Sequence, residues 1–213
     1  MAGRSKTKEK ILKTALALLN NEGEPNITAV DIAAVMDISP GNLYYHYKGK
    51  DVIIELFADF EAELTQVLSA TINSPMAVED NWVYLYIIFE EINDFRFFYL
   101  NLTSLLERIP ELRPKFMRLL ALMKKTFERN LSVLETSGHL VFRTDEKDVL
   151  SERLTAHFTY WLPYANLRSL SSSPKTVINE GVYAALIQIT PHWGDRADTY
   201  ATLLKDFLDG QGG

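Results

Sequence analysis

Between Thr28 and Lys50 the chain carries two helix starts only eleven residues apart, which leaves room for little except a pair of short helices set at an angle. Thr28 precedes an apolar-periodic run and has Asp31 three residues on, so its hydroxyl can accept from an orphan amide while the carboxylate suits the positive helix start. Ile32, Val35 and Met36 fall on one side of that helix, and Ala33 and Ala34 permit close approach by a neighbour. Asp37 breaks the pattern. Ser39 then stands where an N-cap belongs, and Pro40 takes the first helical position, where its missing N–H does no harm.

Two helices joined by so short a turn have the geometry of a helix-turn-helix, whose second helix lies in the DNA major groove. The second helix is equipped for that place. Gly41 lets backbone approach a base or phosphate, Asn42 donates and accepts, and Tyr44, Tyr45 and His46 carry polar tips that reach phosphate oxygens. Lys48 and Lys50 follow as cations, and Thr28 adds a hydroxyl. The candidate DNA-binding residues are thus Thr28, Pro40, Gly41, Asn42, Tyr44, Tyr45, His46, Lys48 and Lys50. Leu43 and Tyr47 are expected to face inward, toward Ile11 and Ile32.

Here the chain resembles the TetR family of bacterial transcription regulators, whose pattern runs Ile-Ala, a turn, Val-Ser, Gly, Leu-Tyr, an aromatic and a Lys. The matching residues are Ile32-Ala33, Ile38-Ser39, Gly41, Leu43-Tyr44, Tyr47 and Lys50, and the likeness extends back through Ile11, Ala15, Leu18 and Gly23. Two positions depart from it. Asp37 stands in the turn where the family usually has glycine, and Glu24-Pro25 follows Gly23 where the family often has an aromatic. The resemblance implies an all-α homodimer that reads a palindromic double-stranded DNA operator, most often as a repressor. Each subunit would have a three-helix DNA-binding head over residues 1–49 and a body of six or seven helices over 50–213 for ligand binding and dimerisation.

Composition is compatible with this. The net charge of −6 is unevenly spread: residues 1–50 hold seven Lys or Arg against five acids, a balance of +2, which leaves −8 on the remainder. A mildly basic head on an acidic body suits a small DNA-reading domain attached to a larger one. The chain has no cysteine, which excludes disulfides, thiolate metal sites and cysteine nucleophiles and fits a reducing cytoplasm. The polar, basic N-terminus lacks a signal-peptide apolar region. The longest apolar run, Trp82 to Phe89, falls far short of the roughly 20 residues that span a bilayer. A soluble, cytoplasmic protein without membrane partners is expected.

Read in order, the chain gives an N-terminal arm with Arg4 and Lys6 able to reach phosphates, then a bracing helix from about Thr7 to Glu22 stopped by Gly23. Gly49 is a hinge before a long amphipathic connector from Lys50 to about Ile72, and Asn73-Ser74-Pro75 breaks the chain. Two aromatic-rich helices follow, Val78 to Asn93, apolar all round over Trp82 to Phe89, and Phe95 to Ile109. A regular helix runs from Glu111 to about Glu135, another from Glu146 to Leu170 with Pro163 inside it, and a third opens at Ser173-Pro174. A last one spans Asp195 to Leu208.

No catalytic constellation is present: the chain has no dinucleotide glycine fingerprint, Walker loop, nucleophile elbow or paired-histidine zinc motif. No metal or cofactor is expected. For an unknown apolar or aromatic effector, the candidate lining is Tyr84, Tyr86, Asn101, His157, Tyr160 and Trp161. For the dimer interface the candidates are Trp161, Val177, Ile178, Gly181, Val182 and Ala185, because Gly181 and its neighbouring alanines let a helix come close. The alternative from another class is a helical small-molecule-binding protein or enzyme with a non-functional head.

Overall fold

Every helix start marked by a serine or threonine cap in the sequence is a helix start in the computed structural model, which describes residues 4–69, 78–168 and 173–211. Eleven α-helices and two 3-10 segments account for the regular structure, with no strand among the described residues. The expected break at Asn73-Ser74-Pro75, the linker residues Ser171 and Ser172, and the end beyond residue 211 lie outside them.

The chain divides into two compact units, Met1–Glu63 with Asp94–Phe116, and Leu64–Asn93 with Met117–Gly213. In the first unit α1 (Lys6–Glu22) is capped by Ser5 and ends at Gly23, whose φ of 83° is a conformation that side chains resist. Ile11, Leu12, Ala15 and Leu19 form its buried stripe. A 3-10 segment, Glu24–Asn26, leads to α2 (Ala29–Val35) and α3 (Pro40–His46). Thr28 and Asp31 form a complete capping box on α2, and Ser39 caps α3 through the Asn42 amide. Ile32, Ala33 and Met36 are buried, whereas Val35, expected inside, is 64 % exposed. In so short a helix the inward face is the narrow strip of Ile32, Ala33 and Met36, and Val35 falls off its edge.

The turn between α2 and α3 is a Schellman stop. The Asp37 amide donates to Ala34 O and the Ile38 amide to Ala33 O, which leaves Asp37 at φ 55°, the place where glycine is usual. Aspartate tolerates this conformation better than most L-residues, so the departure from the family pattern keeps the turn.

The rest of the first unit is the first part of α4 (Asp51–Ser69), α6 (Arg96–Leu100), α7 (Leu102–Arg108) and the start of α8 (Leu112–Thr136). Its core is aromatic: Phe57, Phe60, Phe98, Phe116 and Tyr99 pack ring against ring, with Phe57 and Phe98 edge to face at 5.4 Å. The single helix expected over Phe95 to Ile109 is two, separated at Asn101, whose backbone leaves the helical region and whose side chain donates to Phe97 O. Asn20 of α1 secures the entrance to this pair, donating to Asp94 O and accepting from the Phe97 amide.

In the second unit α5 (Val78–Asp94), α8, α9 (Glu146–Arg168), α10 (Pro174–Ile187) and α11 (Ala197–Gln211) supply the core, with a 3-10 segment over Thr190–Arg196 where the last helix was expected to begin. Phe158 of α9 is its centre, stacked on Phe89 of α5 at 4.0 Å and packed against Phe127 of α8. The α5 segment expected to be buried on every side is not: Val83 and Ile87, one turn apart, face outward. The α9 helix runs through Pro163 without interruption, and Ser173 caps α10 as the Ser-Pro pair requires.

Candidate functional site

The short helix α3 sorts its side chains cleanly. Leu43 and Tyr47 are buried at 1 % and 3 % exposure, four residues apart on the inward face. Gly41, Asn42, Tyr44 and Tyr45 face outward, with Tyr45 84 % exposed, His46 is half-buried, and Lys48 and Lys50 follow on exposed backbone. Pro40 opens the helix and the Ser39 hydroxyl accepts from the Asn42 amide, so the outward residues stand on a helix secured at its N-terminal end. Tyr45 and His46 meet edge to face at 5.2 Å, which orders two of the outward rings.

Around this helix the cations are partly committed. Lys50 pairs with Glu111 at 3.0 Å, an exposed contact of little energy that a phosphate can displace. Arg4, expected to reach phosphates from a flexible arm, is instead held on α4 by Glu55 and Asp59 at 2.8 and 2.6 Å. Lys8 sits 5.2 Å over the Tyr47 ring. Thr28 is exposed, with its hydroxyl engaged to the Asp31 carboxylate, and those hydrogen bonds hold that carboxyl below its usual range.

The residues expected to line a ligand site have different surroundings. Tyr160 is 58 % exposed on the outer face of α9, and Asn101 belongs to the first unit, where its amide is used on Phe97 O. His157 and Trp161 lie side by side, but their polar tips are spent on α10: His157 Nε2 donates to Gly181 O at 2.9 Å and Trp161 Nε1 donates to Val177 O at 2.8 Å. Tyr86 is half-buried, and burial followed by the nearby Glu90 charge raises its hydroxyl pKa. Tyr84 is buried with a hydroxyl that finds no hydrogen-bond partner among the described residues. Asn130 escaped the sequence reading, because a single asparagine between the stripe residues Phe127 and Leu131 carries no periodic signal. Its buried Oδ1 is likewise unpartnered among the described residues.

The expected dimer face closes on its own chain. At Gly181 a β-carbon would lie 2.6 Å from Trp161 Nε1, so the helix that the glycine admits is α9 of the same subunit. Ile178, Val182 and Ala185 are buried beside it, and half-buried Val177 gives its carbonyl to Trp161. On α9, Val149, Tyr160, Tyr164 and Leu167 follow one another along an exposed apolar stripe, Leu167 being 86 % exposed.

Burial holds the His157 imidazole below its ordinary pKa, with only partial compensation from the Gly181 carbonyl. The neutral ring is therefore the folded form, and acid favours the unfolded chain, where the same group titrates near 6.5. The stability that His157 contributes is complete above that value and is lost as pH falls below it, with a limiting slope of about 1.4 kcal/mol per pH unit for one proton. Chemical denaturation between pH 8 and pH 5 should show this slope, and His157→Gln should flatten the difference.

A family model described as TetR, bacterial transcriptional repressor, matches residues 59–200 of this chain. The chain belongs to the TetR family. Among solved structures, this TetR-family chain is similar to a TetR-family transcriptional regulator from Marinobacter aquaeolei VT8, at 29 % identity and a TM-score of 0.84, covering 97 % of this chain and 99 % of that one. A putative TetR-family regulator from Rhodococcus sp. shares the fold at 17 % identity and a TM-score of 0.62, covering 87 % of this chain and 100 % of that chain. An uncharacterised HTH-type transcriptional regulator in the dhlA 5′ region of Xanthobacter autotrophicus is 39 % identical over 51 residues, which is 24 % of this chain and 25 % of that protein. The chain thus matches about a quarter of that relative's length. These relatives are described as regulators of transcription, and this TetR-family protein is a transcriptional regulator. No helix among its described residues is long and apolar enough to cross a membrane.

Proposed function

We propose that this regulator acts in the cytoplasm as a homodimeric repressor, reading a palindromic operator through two α3 helices in successive major grooves roughly 34 Å apart. The observation that carries the reading is the division of α3, in which Leu43 and Tyr47 anchor the helix while Asn42, Tyr44 and Tyr45 point away from the core. Outward tyrosines on a capped helix bring no stability to a lone subunit, whereas on DNA they meet phosphates and bases. The head over residues 1–49 does the reading, and the body over 50–213 pairs subunits and holds an effector. A second copy covers the exposed α9 stripe of Val149, Tyr160, Tyr164 and Leu167, since apolar surface of this kind marks an interaction site. Release from DNA follows from an apolar effector in the body, for which a coupling of about 1–3 kcal/mol is enough.

The test is a gel shift of purified protein against genomic fragments, with salt-sensitive, competitor-resistant binding as the expected result. Tyr44→Ala should weaken the selected fragment about tenfold, and Lys48→Ala should reduce the salt slope by about one while affecting all sequences alike. Melting temperatures should stay within a few degrees of the parent. The absence of a retarded fragment, or an unfolded Tyr44→Ala protein, refutes the reading.

A further inference from the structure

An open cleft of about 230 Å³ lies in the first unit between α1 and α4. Its α1 side is Glu9, Leu12, Lys13 and Leu16, spaced so that they share one face, and its α4 side is Leu56, Asp59 and Glu63, spaced in the same way. Arg4 and Phe95 complete the lining. Leu12, Leu56 and Phe95 are buried and Leu16 is half-buried, so the floor is apolar, while the more exposed charged side chains form the rim.

The charges on this rim do not balance. Arg4 is committed, since its guanidinium donates to both oxygens of Asp59 at 2.6 and 2.7 Å and to Glu55 at 3.1 and 2.8 Å. Lys13 stands one turn after Glu9 on α1, the order in which an acid and a base favour each other on a helix surface. Glu63 is left over: it has no cationic partner among the described residues and stands one turn after Asp59, a like charge. Partial burial, then the charges of Asp59 and Asp94, raises its pKa above the ordinary carboxylate value.

Size and charge together define the occupant. Sites for drug-sized ligands run to about 300–1,000 Å³, so this cleft takes something smaller, of the order of one ring and a short arm. An anion meets three carboxylates there, Glu9, Asp59 and Glu63, with Arg4 already engaged. A neutral apolar molecule covers the leucines and leaves Glu63 as crowded as before. An ammonium on an apolar body meets both demands, because its N–H groups donate to the carboxylate while its ring lies on Leu16 and Leu56. One positive charge is enough: with Arg4 set against Asp59 and Lys13 against Glu9, a single carboxylate of the lining remains.

We propose that the cleft between α1 and α4 binds a small organic cation, an arylalkyl ammonium, with Glu63 as the residue that receives its charge. The guest bridges the bracing helix and the connector through side chains of both. Every lining residue belongs to the first unit, and the proposal rests neither on an effector in the body nor on operator binding.

Three probes of nearly one shape test it on the full-length protein at neutral pH: 2-phenylethylamine, which is then an ammonium, 2-phenylethanol and phenylacetate, with binding measured by calorimetry and thermal shift. The parent is expected to bind the ammonium at least about fivefold more tightly than the alcohol, and phenylacetate more weakly than either, since a hydrogen bond to an ionised carboxylate is the stronger kind. Glu63 is exposed, so Glu63→Gln keeps the fold, and it should bring ammonium and alcohol to within about twofold of each other. Leu16→Ala removes apolar floor alone and should weaken both by a similar factor, about threefold, with the preference intact. Equal binding of ammonium and alcohol by the parent, tighter binding of phenylacetate, no binding of the ammonium, or a preference that survives Glu63→Gln overturns the proposal.

Discussion

Replacing Gly181 with alanine is expected to cost this protein about 2–4 kcal/mol, the balance of overpacking and a lost hydrogen bond against the better helix propensity of alanine. The space is taken from two sides: the added carbon would stand 2.6 Å from Trp161 Nε1, 2.7 Å from Trp161 Cδ1 and 3.0 Å from Phe89 Cζ. Neither ring can yield cheaply. The indole is rigid, and its N–H is bonded to Val177 O at 2.8 Å, so retreat leaves a buried donor unpaired. Phe89 is itself stacked on Phe158 at the centre of the second unit. For a chain of this length the loss corresponds to a fall in melting temperature of roughly 5–15 °C. A double-mutant cycle with Trp161→Ala separates the causes, since the alanine at 181 should add little once the indole is gone. A Gly181→Ala protein as stable as the parent would show that α9 and α10 do not approach as closely as this contact requires.

That contact also shows where a sequence stops informing. The caps were legible because they are local chemistry: Thr28 with Asp31, Ser39 before Pro40 and Ser173 before Pro174 each need only three or four residues to be recognised. The buried stripes of α1 and α8 were legible for the same reason, since 3.6-residue periodicity is a property of one helix. Gly181 announced a close approach, but nothing local says whose side chain makes it, and the answer lies 20 positions away in Trp161. Aromatic residues gave a similar half-answer. A tyrosine predicts apolar contact for its ring, and Tyr84 and Tyr160 read alike until the fold buries one and exposes the other. On α3 the reading went further, because a capped two-turn helix has only one face to hide and Leu43 and Tyr47 claim it. Arg4 went the other way. Its basic neighbours suggest phosphate, yet the carboxylates of Glu55 and Asp59, more than fifty residues on, hold it.

Arg108→Ala is expected to destabilise the first unit by about 1.5–3 kcal/mol, below the 3–5 typical of a broken buried pair because the guanidinium is half in solvent. Its partner is not: Glu24 is 5 % exposed, and the two groups meet through a double hydrogen bond, Nη1 to Oε1 and Nη2 to Oε2. Removing the arginine leaves a carboxylate buried with its main donor gone, whereas removing both charges does not. Glu24 occupies the position after Gly23 where the family resemblance implies an aromatic ring, so an ion pair stands where an apolar contact was the expectation. The double variant Glu24→Phe with Arg108→Ala should therefore recover most of the loss, and Arg108→Lys, which cannot make the paired contact, should recover less. Urea denaturation of the three variants orders them. If the double variant is no more stable than Arg108→Ala, the site does not accept a ring, and the pair is there for the path of the chain into α2, which it tethers across 84 positions to α7.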